Sequence, residues 1–325
     1  MDKLKKVGLT ALGTALVTSS AVAGDLAVTG SAKLTLVGGD KKQTGNGWGM
    51  TDSITFAGSS DLDNGWTVST SQNLSAGANN NTEISIDTGD TGKLTFWKKS
   101  GSSVVGSWDD MTPSANEESW NGFTGTAGPG NGPVMSQGNA DMFRYTVNVM
   151  DGLDFSASYS PSDTTAAIDS SSSYGIQYTG VEGLTIGAAQ GENNNQIAVT
   201  NSPATIGAGV EIDNTAMYVT YAIDSFTIGV QDNESDADVA NGDYSYRAYG
   251  ISYAVTEDLS VSYGVGTVDY QKAANDDQET SAVSASYTSG GVTVSATMSD
   301  AENLGGSSSA ANDRQTYELN ISFAF

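Results

Sequence analysis

The sequence predicts an all-β chain, a transmembrane antiparallel β-barrel of about sixteen strands with short turns at one end and long loops at the other. Three observations predict it: apolar and polar residues alternate along much of the chain, short and long connections take turns, and the N-terminus carries an export signal. Of 325 residues, 39 are Gly, 5 are Pro, and none is Cys or His. Those zeros exclude a Ser-His-Asp triad, a thiol nucleophile, a disulfide and a His- or Cys-held metal. Thirteen Lys and Arg stand against 38 Asp and Glu, a net charge of -25 that argues against a nucleic-acid partner. A mean hydropathy of -0.26 argues against a bundle of membrane helices.

The first element is the leader. Lys3, Lys5 and Lys6 precede an apolar run from Val7 to Val17, too short to span a membrane, and Ala21-Val22-Ala23 has the small-x-small form of a cleavage site. Residues 1–23 are therefore expected to be a signal peptide and 24–325 a single barrel domain, since large barrels run past about 200 residues as one domain. Cleavage removes three Lys and one Asp, leaving 10 basic and 37 acidic residues and a charge of -27.

The strands follow. In the last one, Tyr317, Leu319, Ile321, Phe323 and Phe325 share one face, while Thr316, Glu318, Asn320, Ser322 and Ala324 share the other. A period of two with one apolar face marks a strand between two different environments. Leu34 and Leu36, Ile54 and Phe56, Ile84 and Ile86, Met217, Val219 and Tyr221, and Val261, Tyr263 and Val265 keep one parity in the same way. A barrel with lipid outside and water inside requires that arrangement. Trp66, Phe155, Phe226, Tyr249, Tyr253, Tyr287 and Phe323 lie near strand ends, where interfacial aromatic girdles form. Arg247 shares the lipid parity of Tyr249 and Ile251; it stands above the bilayer, or a bulge switches its register, or it faces a neighbouring subunit.

About seven tight turns join these strands, as in DNGWTVS from Asp63, DGLDFSASY from Asp151, DSFTIGV from Asp224 and SGGVTVSA from Ser289. Between them lie about eight longer polar segments: 38–50, 76–82, 99–141, 160–173, 190–213, 232–243, 269–279 and 299–313. Short connections at one end and long ones at the other are expected to be periplasmic turns and extracellular loops.

Together with the closing LNISFAF, the terminal Phe325 and one exceptionally long early loop, these features resemble the Gram-negative outer-membrane general porins, most closely the alphaproteobacterial type. The resemblance implies a homotrimer of sixteen-stranded barrels, each with a water-filled channel. It also implies insertion aided by the terminal aromatic residue, Phe325, and a third long loop folded inward as the constriction. Here that loop is Lys99 to Asp141, with Asp109, Asp110, Glu117 and Glu118 as candidate acids at the opening and Trp108 and Trp120 as its aromatics. The family's Pro-Glu-Phe-Gly-Gly motif is absent; Gly128, Pro129, Gly130, Gly132 and Pro133 stand in the same loop. Lys33, Lys93, Arg144 and Arg314 fall on lumen parity and are the candidate basic wall, although Lys33 and Lys93 would serve equally to balance Glu83 and Asp87.

The expected function is passive diffusion of ions and small hydrophilic solutes with cation preference, in an outer membrane whose lipid and lipopolysaccharide surround the barrel. Three rivals remain. Asp109-Asp110 and Glu117-Glu118 would supply a glycosidase's acid and base, but adjacent acids in a Gly-rich loop read as solvated surface, so no enzyme is expected. A secreted β-rich adhesin leaves the alternating connections unexplained. A substrate-specific channel would use lumen aromatics such as Trp97, Trp108 and Trp120. No cofactor is expected; clusters such as Asp276-Asp277 could hold calcium between loops through oxygen ligands.

Overall fold

The computed structural model describes residues 26–40, 47–121, 123, 140–162, 169–194, 199–200, 205–206, 209–272, 276–310 and 312–325. The signal-peptide segment 1–23 and the stretch Gly128 to Pro133 lie outside the described residues. The strands are β1 (Leu26–Gly39), β2 (Trp48–Asp61), β3 (Thr67–Ser75), β4 (Ala78–Asp87), β5 (Lys93–Lys99), β6 (Met142–Met150), β7 (Leu153–Ser160), β8 (Ser171–Tyr178) and β9 (Leu184–Asn193). After a two-stranded hairpin, β10 (Val199–Thr200) with β11 (Thr205–Ile206), come β12 (Ile212–Ile223), β13 (Phe226–Ala237), β14 (Tyr244–Ala254), β15 (Leu259–Tyr270), β16 (Gln278–Ser289), β17 (Val292–Glu302) and β18 (Arg314–Ala324). All but β10 and β11 close into one antiparallel barrel of sixteen strands, as the alternation predicts.

Closure joins the ends of the chain. β1 pairs with β18 from Ser31–Ala324 to Gly39–Thr316, and Gly30 exchanges two backbone hydrogen bonds with Phe325, at 2.8 and 2.9 Å. The Phe325 ring lies over Gly30, where a Cβ would come within 2.4 Å of it. Full closure leaves no unpaired strand edge, the condition for spanning lipid with strands.

Burial reads the two faces directly. On β18, Leu319 and Ile321 are 36% and 43% exposed, whereas Asn320 between them is 2% exposed. The apolar side chains are the exposed ones, the inverse of a water-soluble protein, so the outer surface is a lipid-facing belt. At the turn end Phe226 stacks on Tyr253 with ring centroids 4.5 Å apart, and Phe323 lies 5.9 Å from Phe325, as expected of an interfacial girdle.

The connections alternate as expected, with differences in length. Asp151-Gly152, Asp224-Ser225 and Gly290-Gly291 are two-residue turns, with positive φ of 73° at Gly152, 51° at Asp224 and 61° at Gly290. The segment 76–82, read as a loop, is only Ala76-Gly77; β4 begins at Ala78 and takes its Asn-rich residues into the barrel rim. β13 likewise runs to Ala237, well past Asp232. Above the belt a strand faces water on its outside, so polar composition no longer distinguishes strand from loop there. Arg247 illustrates this: registers on both sides of β14 are unbroken, which removes the bulge, and its guanidinium pairs with Asp232 at 2.5 Å on the outer face.

Candidate functional site

The segment after β5 turns into the barrel. Lys98 and Asp141 hold its two ends together by an ion pair of 2.5 Å. Between them, residues 103–119 run along the inner wall, crossing from β6 to β17. The Val104 amide donates to Ser158 and Ser173 hydroxyls on β7 and β8, and Arg144 on β6 donates to Ser107 Oγ at 2.9 Å. The Met111 amide donates to Gln231 on β13, and the Ala115 amide to Ser262 on β15 at 2.8 Å. Asn116 bonds Thr297 and Ser295 on β17; Ser284 on β16 donates to the Glu117 carbonyl; Ser119 meets Thr280 at 3.1 Å. Every one of these wall groups has inward parity. Backbone amides that strand pairing would satisfy elsewhere are satisfied by hydroxyl and amide side chains of the wall, which allows irregular backbone inside a barrel.

Small residues make room for the loop. Trp108, 8% exposed, packs in a cluster with Val104, Val105, Ala189, Ala216 and Tyr218, its ring edge-on to Tyr218 at 6.2 Å. A Cβ on Gly175 would lie 2.5 Å from that indole. Pro113 rests on the cross-strand pair Gly229–Gly250, where added Cβ atoms would come within 2.4 Å of its ring and 2.8 Å of its carbonyl oxygen. Trp120 packs against the buried cluster of Tyr244, Tyr246, Ala248, Val268 and Tyr270. Phe123, farther on, is buried with Ala301 and Leu304.

The four loop carboxylates are brought together on this segment. Trp120 Nε1 donates to Glu118 at 3.0 Å and Asn121 Nδ2 to Glu117 at 2.6 Å. Among the described residues none of the four is in an ion pair. Burial, then the charge of Asp110, pushes both Asp109 and Glu118 up to about 8. Asp110 is open to the lumen's water but hemmed in by barrel atoms, and its carboxyl also lies above the ordinary range, with Glu117 adding to the effect. Asp109 and Glu118 therefore hold their protons to higher pH than exposed acids do, a marker of a functional site.

The expected basic wall is distributed differently from a single ladder. Arg144 lies at the start of the loop and holds it rather than facing it across the opening. Arg314 is 8% exposed at the loop end of β18, opposite Ala301, with its Nε unpartnered. Lys33 on β1 and Lys93 on β5 remain, at the two sides of the wall the loop leaves uncovered. That wall is mainly hydroxyl-lined, by Thr35, Thr51, Ser53, Thr55, Ser69, Ser71 and Ser85 on inward parity. Lys93 stands directly across from Asp87, and Trp97 donates to Glu83 at 2.6 Å. Among the described residues no three carboxylates converge to hold a metal ion, Asp276 and Asp277 included.

The wall seats, Gly175, Gly229, Gly250, Gln231 and Asn233, escaped the sequence reading. Their signal was available as glycine or amide at inward positions of neighbouring strands. It becomes legible only once register shows that Gly229 and Gly250 are cross-strand partners.

A closed barrel of sixteen strands with an apolar belt and an inward loop defines a channel of the porin class. The chain belongs to the Gram-negative porin family, whose model matches residues 8–306, and its place is the outer membrane. A search of curated proteins returns no match. Solved structures share the fold: the anion-selective porin of Comamonas acidovorans at 13% identity, covering 93% of this chain and 99% of that one, has a TM-score of 0.64. The trimer form of OmpT, an outer-membrane protein of Vibrio cholerae, is 14% identical with coverage of 94% and 100% and a TM-score of 0.68. Salmonella typhi OmpF in complex with daunomycin is 14% identical with coverage of 92% and 97% and the same TM-score, 0.68.

Proposed function

We propose that this porin is a passive, non-enzymatic diffusion channel for ions and small hydrophilic solutes, cation-preferring, exported by cleavage after Ala23 and working as a homotrimer among outer-membrane lipid and lipopolysaccharide. The observation that carries the selectivity is the loop itself: Asp109, Asp110, Glu117 and Glu118 lie inside the barrel without an ion-pair partner among the described residues, and the wall the loop leaves uncovered is lined by hydroxyls, with Lys33 and Lys93 on its inward parity. Charge in a narrow wet pore is poorly screened and sets ion preference. The Comamonas relative is anion-selective on the same fold, so the sign resides in side chains and not in the barrel.

A sugar-specific channel is disfavoured by the same geometry. Trp108 is buried in the wall, Trp120 packs on tyrosines and donates to Glu118, and Trp97 is bound to Glu83, so these rings anchor structure and do not form a solute track. The trimer is supported by a break in the belt. On β1 to β4 the outward parity carries Ala32, Asp52, Gly58, Thr70, Gln72 and Thr82, polar or small residues interleaved with Leu34, Ile54, Phe56 and Ile84. Polar side chains facing lipid are costly, and burying them against a second subunit relieves that cost.

Reconstitution in planar bilayers across a salt gradient tests the reading. The expected result is stepwise ohmic conductance with a cation-favouring reversal potential. Absence of conductance overturns the channel, and an anion-favouring potential overturns the selectivity.

A further inference from the structure

The loop acids lie where they do because the backbone beneath them is held at one place. Gln231 and Asn233 are successive inward residues of β13, 1% and 0% exposed. Gln231 Oε1 accepts from the Met111 amide at 2.5 Å, and its Nε2 donates to the Trp108 carbonyl and to Asn233 Oδ1, both at 3.1 Å. Asn233 Nδ2 donates to the Asp109 carbonyl at 2.7 Å. Two side-chain amides thus grip the peptide groups on either side of Asp109 and Asp110, offering donor and acceptor as the edge of a neighbouring strand would. The remaining tethers of residues 104–119 each use a hydroxyl or Asn116; here alone among the described residues two wall amides, bonded to each other, hold three consecutive peptide groups of the loop, through the Trp108 and Asp109 carbonyls and the Met111 amide.

We propose that Gln231 and Asn233 form an amide clamp that positions the acid-bearing segment 108–111, and so determine the charge and width of the opening. Three features fit this role. The clamp is neutral, so it keeps its grip while the acids beside it change protonation. It is fully buried, so a hydrophobic replacement would strand the Met111 amide and the Trp108 and Asp109 carbonyls without partners. It also adjoins the Pro113 seat at Gly229 on the same strand, which limits how far the loop could slide along the wall. The consequence for conduction rests on the channel reading above; the clamp itself does not.

Gln231→Leu/Asn233→Leu is compared with the wild-type protein in two measurements, after an unheated gel has shown that each variant is folded. Amide hydrogen exchange by mass spectrometry reads the clamp without reference to conduction. Segment 108–111 should exchange about tenfold faster in the variant, equivalent to about 1.4 kcal/mol, with strand peptides unchanged. Single-channel recording reads its effect: higher and noisier conductance with weaker cation preference. Unchanged exchange of 108–111 in the Leu variant overturns the clamp, as does unchanged conductance and noise in a channel whose loop exchange has risen. Faster exchange in a protein that conducts no current supports the clamp and overturns the channel.

Discussion

Asp109 and Glu118 are pushed up to about 8, so near neutral pH much of the opening's negative charge is titrated away. A carboxyl whose folded value is raised contributes stability that is complete below its ordinary range of about 4, and loses that stability as pH rises through about 8. Two effects follow with opposite sense. Between pH 6 and pH 9 the acids charge and cation preference increases, while the same charging weakens the docking of the loop on the wall. Reversal potentials at the two pH values check the first effect, and exchange of the 108–119 amides checks the second. Asp109→Asn/Glu118→Gln should conduct normally with the pH dependence of both readouts largely removed. If that variant keeps the wild-type dependence, other groups carry it.

At the scale of elements, the loop is a guest on the barrel wall and its seat is sterically exact. Gly250→Val would put a branched side chain where a Cβ already comes within 2.8 Å of the Pro113 carbonyl, and backbone cannot retreat as a side-chain tip can. The expected result is a barrel that still resists heating in detergent but shows a displaced loop and altered conductance. Trp108→Ala removes a buried ring from its cluster, a change that costs about 3–5 kcal/mol in a core. The whole of that loss falls on loop docking, because the strands beneath keep their pairing. The sequence disclosed the barrel because alternation is a property of each strand by itself, as Tyr317, Leu319 and Ile321 display against Glu318 and Asn320. It disclosed the inward loop through length and resemblance. It could not disclose which wall the loop would choose, because that choice depends on residues aligned across strands: the glycine pair Gly229–Gly250, and Gln231 two positions along from Gly229. Arg144 and Arg314 fall on inward parity, but parity carries no height, and height is what separates a tether or a rim residue from one lining the opening.

For the whole molecule, the outer surface is asymmetric. Strands β12 to β17 present an apolar face, Met217, Val219 and Tyr221 continuing through Ile228, Ile251, Tyr263, Val283 and Val294, with the outward polar residues Asp232, Arg247, Ser281 and Asp300 towards their loop ends. Strands β1 to β4 interrupt it with Ala32 beside Asp52, Gly58 beside Thr70, and Gln72 between Phe56 and Thr82. A barrel surrounded by lipid on all sides has no use for that interruption, since a polar side chain turned towards lipid is costly. A barrel packed against copies of itself gains from small residues that permit close approach and from polar groups that bond across the contact. Bulk on the two faces should therefore act differently. Ala32→Trp/Thr70→Trp places large rings in the proposed contact and is expected to convert a heat-sensitive trimer into a folded monomer on an unheated gel. Val219→Trp, on β12, adds equal bulk to a surface that meets fluid lipid and should leave the trimer intact. Dissociation by Val219→Trp with persistence of the trimer in Ala32→Trp/Thr70→Trp would move the contact to the opposite side of the barrel, and the polar residues of β1 to β4 would then need another partner within the membrane.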